Sequence, residues 1–278
     1  MSADLAGWLL VTDLDGTLWD GALRLHPGAR EALDALTAMG MTVLAATARR
    51  PASARGTMVA NDLLLPAVLH DGALGRDFAT GETFHVARFP PASAIRVLEA
   101  FQRCGLEPCV NVASDDRDVL LGAAPSTCQG HRDFIAPWSR PADLGAAVAT
   151  ESVLSFSIVG RPRELLWPAL EAIRAVADAS LSHDLVWGGC TLSVRPPGIS
   201  KWTGVLAFCA ARGLDPARTV AIGDGENDVE MLAAAAVSFT FEGASPGALR
   251  SAGHVLPPAG SDAWPALVER TAGAARPR

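Results

Sequence analysis

Hydrophobic positions change period several times along the chain, and the changes mark out its elements. A short apolar run over 8–12 stops at Asp13, as a strand buried within a parallel sheet does. From Pro27 the spacing turns helical, with Ala29, Leu33, Leu36 and Met39 on one face and Gly40 just after the last turn. A second strand is predicted over 41–46, then a shorter helix opened by Pro51 and carrying Met58 and Val59, then a brief strand over 67–69 beside His70 and Asp71. Such β-α-β-α-β alternation predicts a parallel sheet.

Beyond this point the texture shifts. The stretch 73–86, with its Thr80-Gly81 turn, reads as a hairpin, and 91–104 reads as an amphipathic helix. Leu154, Phe156 and Ile158 alternate with Ser155 and Ser157, and Cys190, Leu192 and Val194 alternate with Thr191, Ser193 and Arg195. Between them lies an apolar helical segment over about 164–176. Alternation predicts strands with one covered face and one open face. The run 104–141, rich in Asp, Arg and Pro, yields no assigned element. After Pro196-Pro197-Gly198 the first texture resumes, with a helix over 200–212 and strands over 219–222, over 237–240 and near Val255. The expected fold class is therefore α/β: a Rossmann-like parallel-sheet core from 1–82 and 196–278, interrupted by an α+β insertion over 83–195.

Composition narrows the function. With 278 residues, 49% apolar, the chain is long enough for a substantial core, and no internal repeat or low-complexity tract is visible. A net charge of −7 offers no basic stripe for a nucleic-acid backbone, so an anionic substrate must be small and held locally. No apolar stretch approaches the roughly 18 residues of a membrane helix, and the first residues lack a signal-peptide pattern, so a soluble cytoplasmic protein is expected. Five cysteines without a C-x-x-C pair are expected to be reduced packing residues. Of 23 basic residues, Lys201 alone is lysine.

Four segments carry candidate chemistry. Asp13-Leu14-Asp15-Gly16-Thr17-Leu18 follows the first strand, where open α/β sheets bind ligands. Two adjacent carboxylates stay charged together when a hard divalent cation such as magnesium accompanies them; the alternative is an Asp/Gly-rich turn. Gly223-Asp224-Gly225-Glu226-Asn227-Asp228 follows another buried strand and brings further acids to the same edge. It is not a dinucleotide loop, because Asp228 stands where the last glycine is required and acids repel pyrophosphate. Thr47-Ala48-Arg49 ends the second strand and supplies a hydroxyl donor; the alternative is a plain strand-ending turn. Lys201 follows Ser200, a good helix N-cap, so its ammonium sits at the positive end of a helix. A bound phosphate would relieve that conflict, whereas the alternative is a solvated surface lysine. A nucleophile, an acid set, a hydroxyl and a cation together form an inventory for phosphoryl transfer.

These segments resemble the four motifs of the haloacid dehalogenase superfamily, and their order and spacing resemble its Cof-like, type IIB subfamily with a C2-type cap, which includes sugar phosphatases. His70-Asp71-Gly72-Ala73-Leu74 is similar to that subfamily's Asn-Gly-Ala element with Asp71 replacing Asn, and Ala48 departs from the usual Thr-Gly-Arg. The resemblance implies that Asp13 is the nucleophile and Asp15 the general acid and base. It implies that the side chains of Asp13 and Asp224 and the Asp15 carbonyl hold Mg2+, with Asp228 supporting this metal shell, and that Thr47, Lys201 and Asn227 grip phosphate. The Ala48 departure leaves open what role Arg49 has. The expected activity is a magnesium-dependent phosphatase acting on a sugar phosphate through an aspartyl-phosphate, the insertion serving as the substrate-recognising cap. A phosphosugar mutase and a non-catalytic sugar-phosphate sensor are the alternatives.

Overall fold

Every residue of β1 (Leu9–Thr12) is buried, as a strand must be when both faces of its sheet are covered. In the computed structural model, which describes residues 4–114 and 116–274, it leads to α1 (Ala29–Ala38), which buries Ala29, Ala32, Leu33 and Leu36. Then come β2 (Thr42–Ala46), α2 (Pro51–Ala60) and β3 (Pro66–Leu69). Helix α2 starts at Pro51, whose missing N–H is harmless in a first turn. It buries Met58, but Val59 is 54% exposed. Neighbouring helical residues point about 100° apart, so one apolar stripe cannot centre on both. β4 (Leu74–Asp77) turns back antiparallel on β3, and β5 (Thr83–Val86) follows at the sheet edge.

The chain continues through α3 (Pro91–Arg103), β6 (Cys109–Val112), β7 (Val119–Leu121), α4 (Gln129–Ile135) and β8 (Ser139–Pro141). Next are α5 (Leu144–Thr150), β9 (Val153–Arg161), α6 (Arg163–Ile173), β10 (Asp178–His183) and β11 (Cys190–Arg195). These strands form a six-stranded sheet in the order β10-β11-β9-β6-β7-β8. Val110, Phe156, Ile158, Leu192 and Val194 pack with Phe101 of α3 and Leu170 of α6 in one core. The alternate positions carry Asn111 opposite Ser155 and Ser157 opposite Ser193, a polar face. The run 104–141 proves to hold three strands of three or four residues and a seven-residue helix, too short for a hydrophobic period to register. Trp187, in the turn between β10 and β11, packs its ring 5.7 Å from Phe134.

The last portion comprises α7 (Lys201–Arg212), β12 (Thr219–Ile222), α8 (Val229–Ala234), β13 (Val237–Phe241), α9 (Pro246–Ser251), β14 (His254–Leu256) and α10 (Ala263–Ala274). It completes an eight-stranded sheet ordered β14-β13-β12-β1-β2-β3-β4-β5. β1 lies parallel between β2 and β12, with Thr12 beside Ile222. Strand order runs outward in both directions from β1, which makes its carboxyl end the topological switch point where such sheets bind ligands. Helix α7 comes so close to β3 that a Cβ on Gly204 would stand 2.4 Å from Val68 Cγ1. Two compact units result, Met1–His85 with Ser200–Arg278 and, separately, Val86–Ile199. Among the described residues no helix is long and apolar enough to cross a membrane.

Candidate active site

Register places the site. Asp13 N–H donates to the Ile222 carbonyl at 2.9 Å, so the loops leaving β1 and β12 begin side by side. The first loop curls tightly, with the Leu18 and Trp19 N–H groups donating to the Leu14 carbonyl at 2.9 and 3.1 Å. Gly16 has φ +82°, and a Cβ there would stand 2.7 Å from Asp224 Oδ2, so both backbone and space demand glycine. The neighbouring Thr17 hydroxyl donates to Asp224 Oδ1 at 2.6 Å. In the second loop the Gly225 N–H donates to Asp228 Oδ2 at 2.9 Å, fixing that carboxylate.

Lys201 is the first residue of α7, and Ser200 and Thr203 exchange capping hydrogen bonds just before it. Its Nζ donates to Asp13 Oδ1 and to Asp228 Oδ1, each at 2.6 Å, and its side chain is fully buried. Two carboxylates thus answer the charge conflict at this helix start, where the sequence pointed to a phosphate alone. The solvated-surface alternative for this lysine is excluded.

Asp13, Asp224 and Asp228 each offer one carboxylate oxygen, all within 4.8 Å of one another. Burial raises the Asp13 pKa well above the ordinary carboxylate range; Lys201 opposes the shift, and Asp228 and Asp224 add to it. Asp224 is pushed up to about 6, first by burial and then by Asp228, against the pull of the Thr17 hydroxyl and Lys201. Burial on its own would lower Lys201, but Asp13 and Asp228 prevail and hold it above its usual value. Three carboxylates therefore face one ammonium. This hard, all-oxygen donor set fits a divalent cation, which removes the repulsion that raises the acids.

Asp15 lies at the rim, its side chain 33% exposed. Arg49 Nε donates to Asp15 Oδ2 and Nη2 to Oδ1, both at 2.6 Å, and Trp19 Nε1 donates to Oδ1 at 3.0 Å. Thr47 is buried, and its hydroxyl oxygen accepts the Arg49 backbone N–H at 3.1 Å. Asn227 Nδ2 donates to Asp71 Oδ1 at 2.8 Å. Asp71 and His70 both have positive φ, 52° and 50°, a left-handed turn that Asp and His tolerate better than most side chains. The structure thus joins Asp13, Asp224, Asp228 and Lys201 in one network and gives Asp15, Thr47 and Asn227 separate partners. The fork of Arg49 and the acceptor role of Asp71 were missed from sequence, although each stands directly after a core strand.

Topology and this acid-lined edge define an α/β enzyme with a second unit inserted in its core. A family model described as haloacid dehalogenase-like hydrolase matches residues 10–132 and 173–263, and the chain belongs to that family. It is 27% identical over 278 residues to a phosphoglycolate phosphatase of Aeropyrum pernix, covering 98% of this chain and 97% of the relative. It is 26% identical over 235 residues to a phosphoglycolate phosphatase of Methanoculleus marisnigri, covering 84% of each. Among solved structures, a subclass IIB sugar phosphatase of the superfamily superposes with a TM-score of 0.73 at 20% identity, over 95% of this chain and 99% of that one. A superfamily phosphatase from Bacteroides thetaiotaomicron gives 0.75 at 19% identity, over 97% and 96%. These two share the fold, including the parallel core with its inserted unit.

Proposed function

We propose that this hydrolase is a magnesium-dependent phosphatase that cleaves a small phosphate monoester, of the sugar-phosphate class, through an aspartyl-phosphate on Asp13. The observation that carries the reading is the buried network in which Asp13, Asp224 and Asp228 converge and Lys201 bridges two of them. The carboxylates of Asp13, Asp224 and Asp228 and the Asp15 carbonyl would hold the ion. When bound, Mg2+ supplies positive charge to the carboxylates and phosphoryl oxygens.

Asp13 contributes the attacking oxygen: its O–P bond forms as the ester P–O bond breaks. Asp15 gives a proton to the departing alkoxide, then takes one from the water that attacks phosphorus, and inorganic phosphate leaves with Asp13 restored. Lys201 holds one Asp13 oxygen and leaves the other for attack, while its charge and the Thr47 hydroxyl neutralise phosphoryl oxygens. Asn227 assists, with its amide oriented by Asp71. The unit Val86–Ile199 serves as the cap that recognises the leaving group.

A second substrate reading has its own support. Two relatives that align over most of this chain are named phosphoglycolate phosphatases, so phosphorylated hydroxy acids belong beside sugar phosphates in any screen. Phosphate release should be measured over both ester classes with Mg2+, with Asp13→Asn as control. Turnover abolished by Asp13→Asn is expected. No phosphate from any ester would refute the hydrolase chemistry, and an isomeric phosphate ester without free phosphate would instead establish a mutase.

A further inference from the structure

Arg49 makes more contacts at the rim of the site than any motif role accounts for. Its guanidinium presents two donors to Asp15, Nε to Oδ2 and Nη2 to Oδ1. Its remaining nitrogen, Nη1, donates to Ser53 Oγ at 3.0 Å and Thr57 Oγ1 at 3.2 Å, both on α2. The guanidinium carbon also lies 5.4 Å from the ring centroid of Trp19, whose own N–H reaches Asp15. The Arg49 side chain is only 13% exposed. Helix and indole therefore fix the fork, and the fork fixes the plane of the carboxylate.

The distribution of donors matters. A carboxylate has about four lone-pair sites, two on each oxygen. Among the described residues, Oδ1 receives two donors, Arg49 Nη2 and Trp19 Nε1, whereas Oδ2 receives Arg49 Nε alone. One lone pair on Oδ2 is left for a proton in transit.

We propose that Arg49 is a positioning residue for the leaving-group step, orienting Asp15 through a two-point fork so that Oδ2 hands the proton to the departing oxygen. This rests on the phosphatase reading above. An ordinary surface ion pair would need neither the two-point geometry nor the anchoring by Ser53, Thr57 and Trp19. Lysine keeps the charge but cannot make the fork, so Arg49→Lys should behave much like Arg49→Ala.

The test compares two esters in the full-length protein with Mg2+. One is p-nitrophenyl phosphate, whose phenolate departs without help. The other is an alkyl phosphate that the wild type turns over, whose alkoxide needs a proton. Values of kcat/KM report steps up to release of the alcohol. Arg49→Ala and Arg49→Lys should lower it for the alkyl ester by about 100-fold, in the range of lost general-acid assistance, and by no more than about threefold for the aryl ester. In an Asp15→Asn background, adding Arg49→Ala should cause almost no further loss, because residues acting as a unit are not additive. Equal losses on both esters, recovery in Arg49→Lys, or full additivity with Asp15→Asn would each overturn the inference while leaving the phosphatase intact. Wild type inert toward p-nitrophenyl phosphate and toward every alkyl phosphate tried would overturn the phosphatase reading and this inference with it. If Arg49→Ala does not fold, the charge-retaining Arg49→Lys decides by the same ratio.

Discussion

Asp13 and Asp15 stand two residues apart yet occupy opposite electrostatic settings. Asp13 belongs to an inner cluster in which Lys201 Nζ, wholly buried, bridges it to Asp228. Asp15 belongs to an outer pair, 33% exposed, held by the flat two-donor fork of Arg49. The inner cation is a point charge among too many acids, suited to a site that gathers further positive charge. The outer cation sets an orientation. On the proposed reading, a single loop after β1 presents one carboxylate for attack and another for proton handling, and the burial of each partner sets the difference.

Breaking each pair should expose that contrast, most strongly at the inner one. Lys201→Met strands Asp13 and Asp228 as uncompensated buried acids, so unfolding in urea without metal should show a loss of about 3–5 kcal/mol. Mg2+ should restore part of it, since an ion can take over the neutralisation. The same measurement on Arg49→Ala should give a smaller loss, about 1 kcal/mol, because the carboxylate it strands, Asp15, is 33% exposed and keeps contact with solvent. Equal losses for the two variants would erase the distinction.

A smaller effect follows from the raised acids. Asp224 titrates at about 6 in the folded chain against an ordinary value of 3.8, so the native state holds its proton more tightly than the unfolded state. Its contribution to stability is present below the ordinary value and declines as pH rises through the folded one, the reverse of a salt-bridged carboxylate. Asp13 is shifted in the same direction. Above this window a bound ion supplies the missing charge, whereas at pH 5 it must first displace a proton. Saturating Mg2+ should therefore raise Tm more at pH 7.5 than at pH 5. A larger rise at pH 5 would contradict this.

Much of the arrangement was legible in the sequence, for identifiable reasons. β1 and β12 could be read because strands covered on both faces are unbroken apolar runs, and each ends directly in acids. Lys201 stood out by being the single lysine among 23 basic residues, but its two carboxylate partners lie 188 and 27 residues away in sequence. No local pattern encodes a pairing that tertiary packing creates. The fork of Arg49 on Asp15 is hidden for the same reason, with 34 residues between them. In the inserted unit, β9 and β11 were legible through strict alternation, whereas β6, β7, β8 and α4 were not, being too short for any period to stand out.

The central claim is that Asp13 carries the phosphoryl group, and chemical trapping tests it most directly. The protein is mixed with Mg2+ and a phosphate monoester that it turns over, quenched in acid, and treated with hydroxylamine, which converts an acyl phosphate to a hydroxamate. Peptide mapping by mass spectrometry should find the hydroxamate at Asp13 and nowhere else, and none in the absence of ester. Phosphate release with Asp13 unmodified, or a hydroxamate at another acid such as Asp15 or Asp224, would contradict the account.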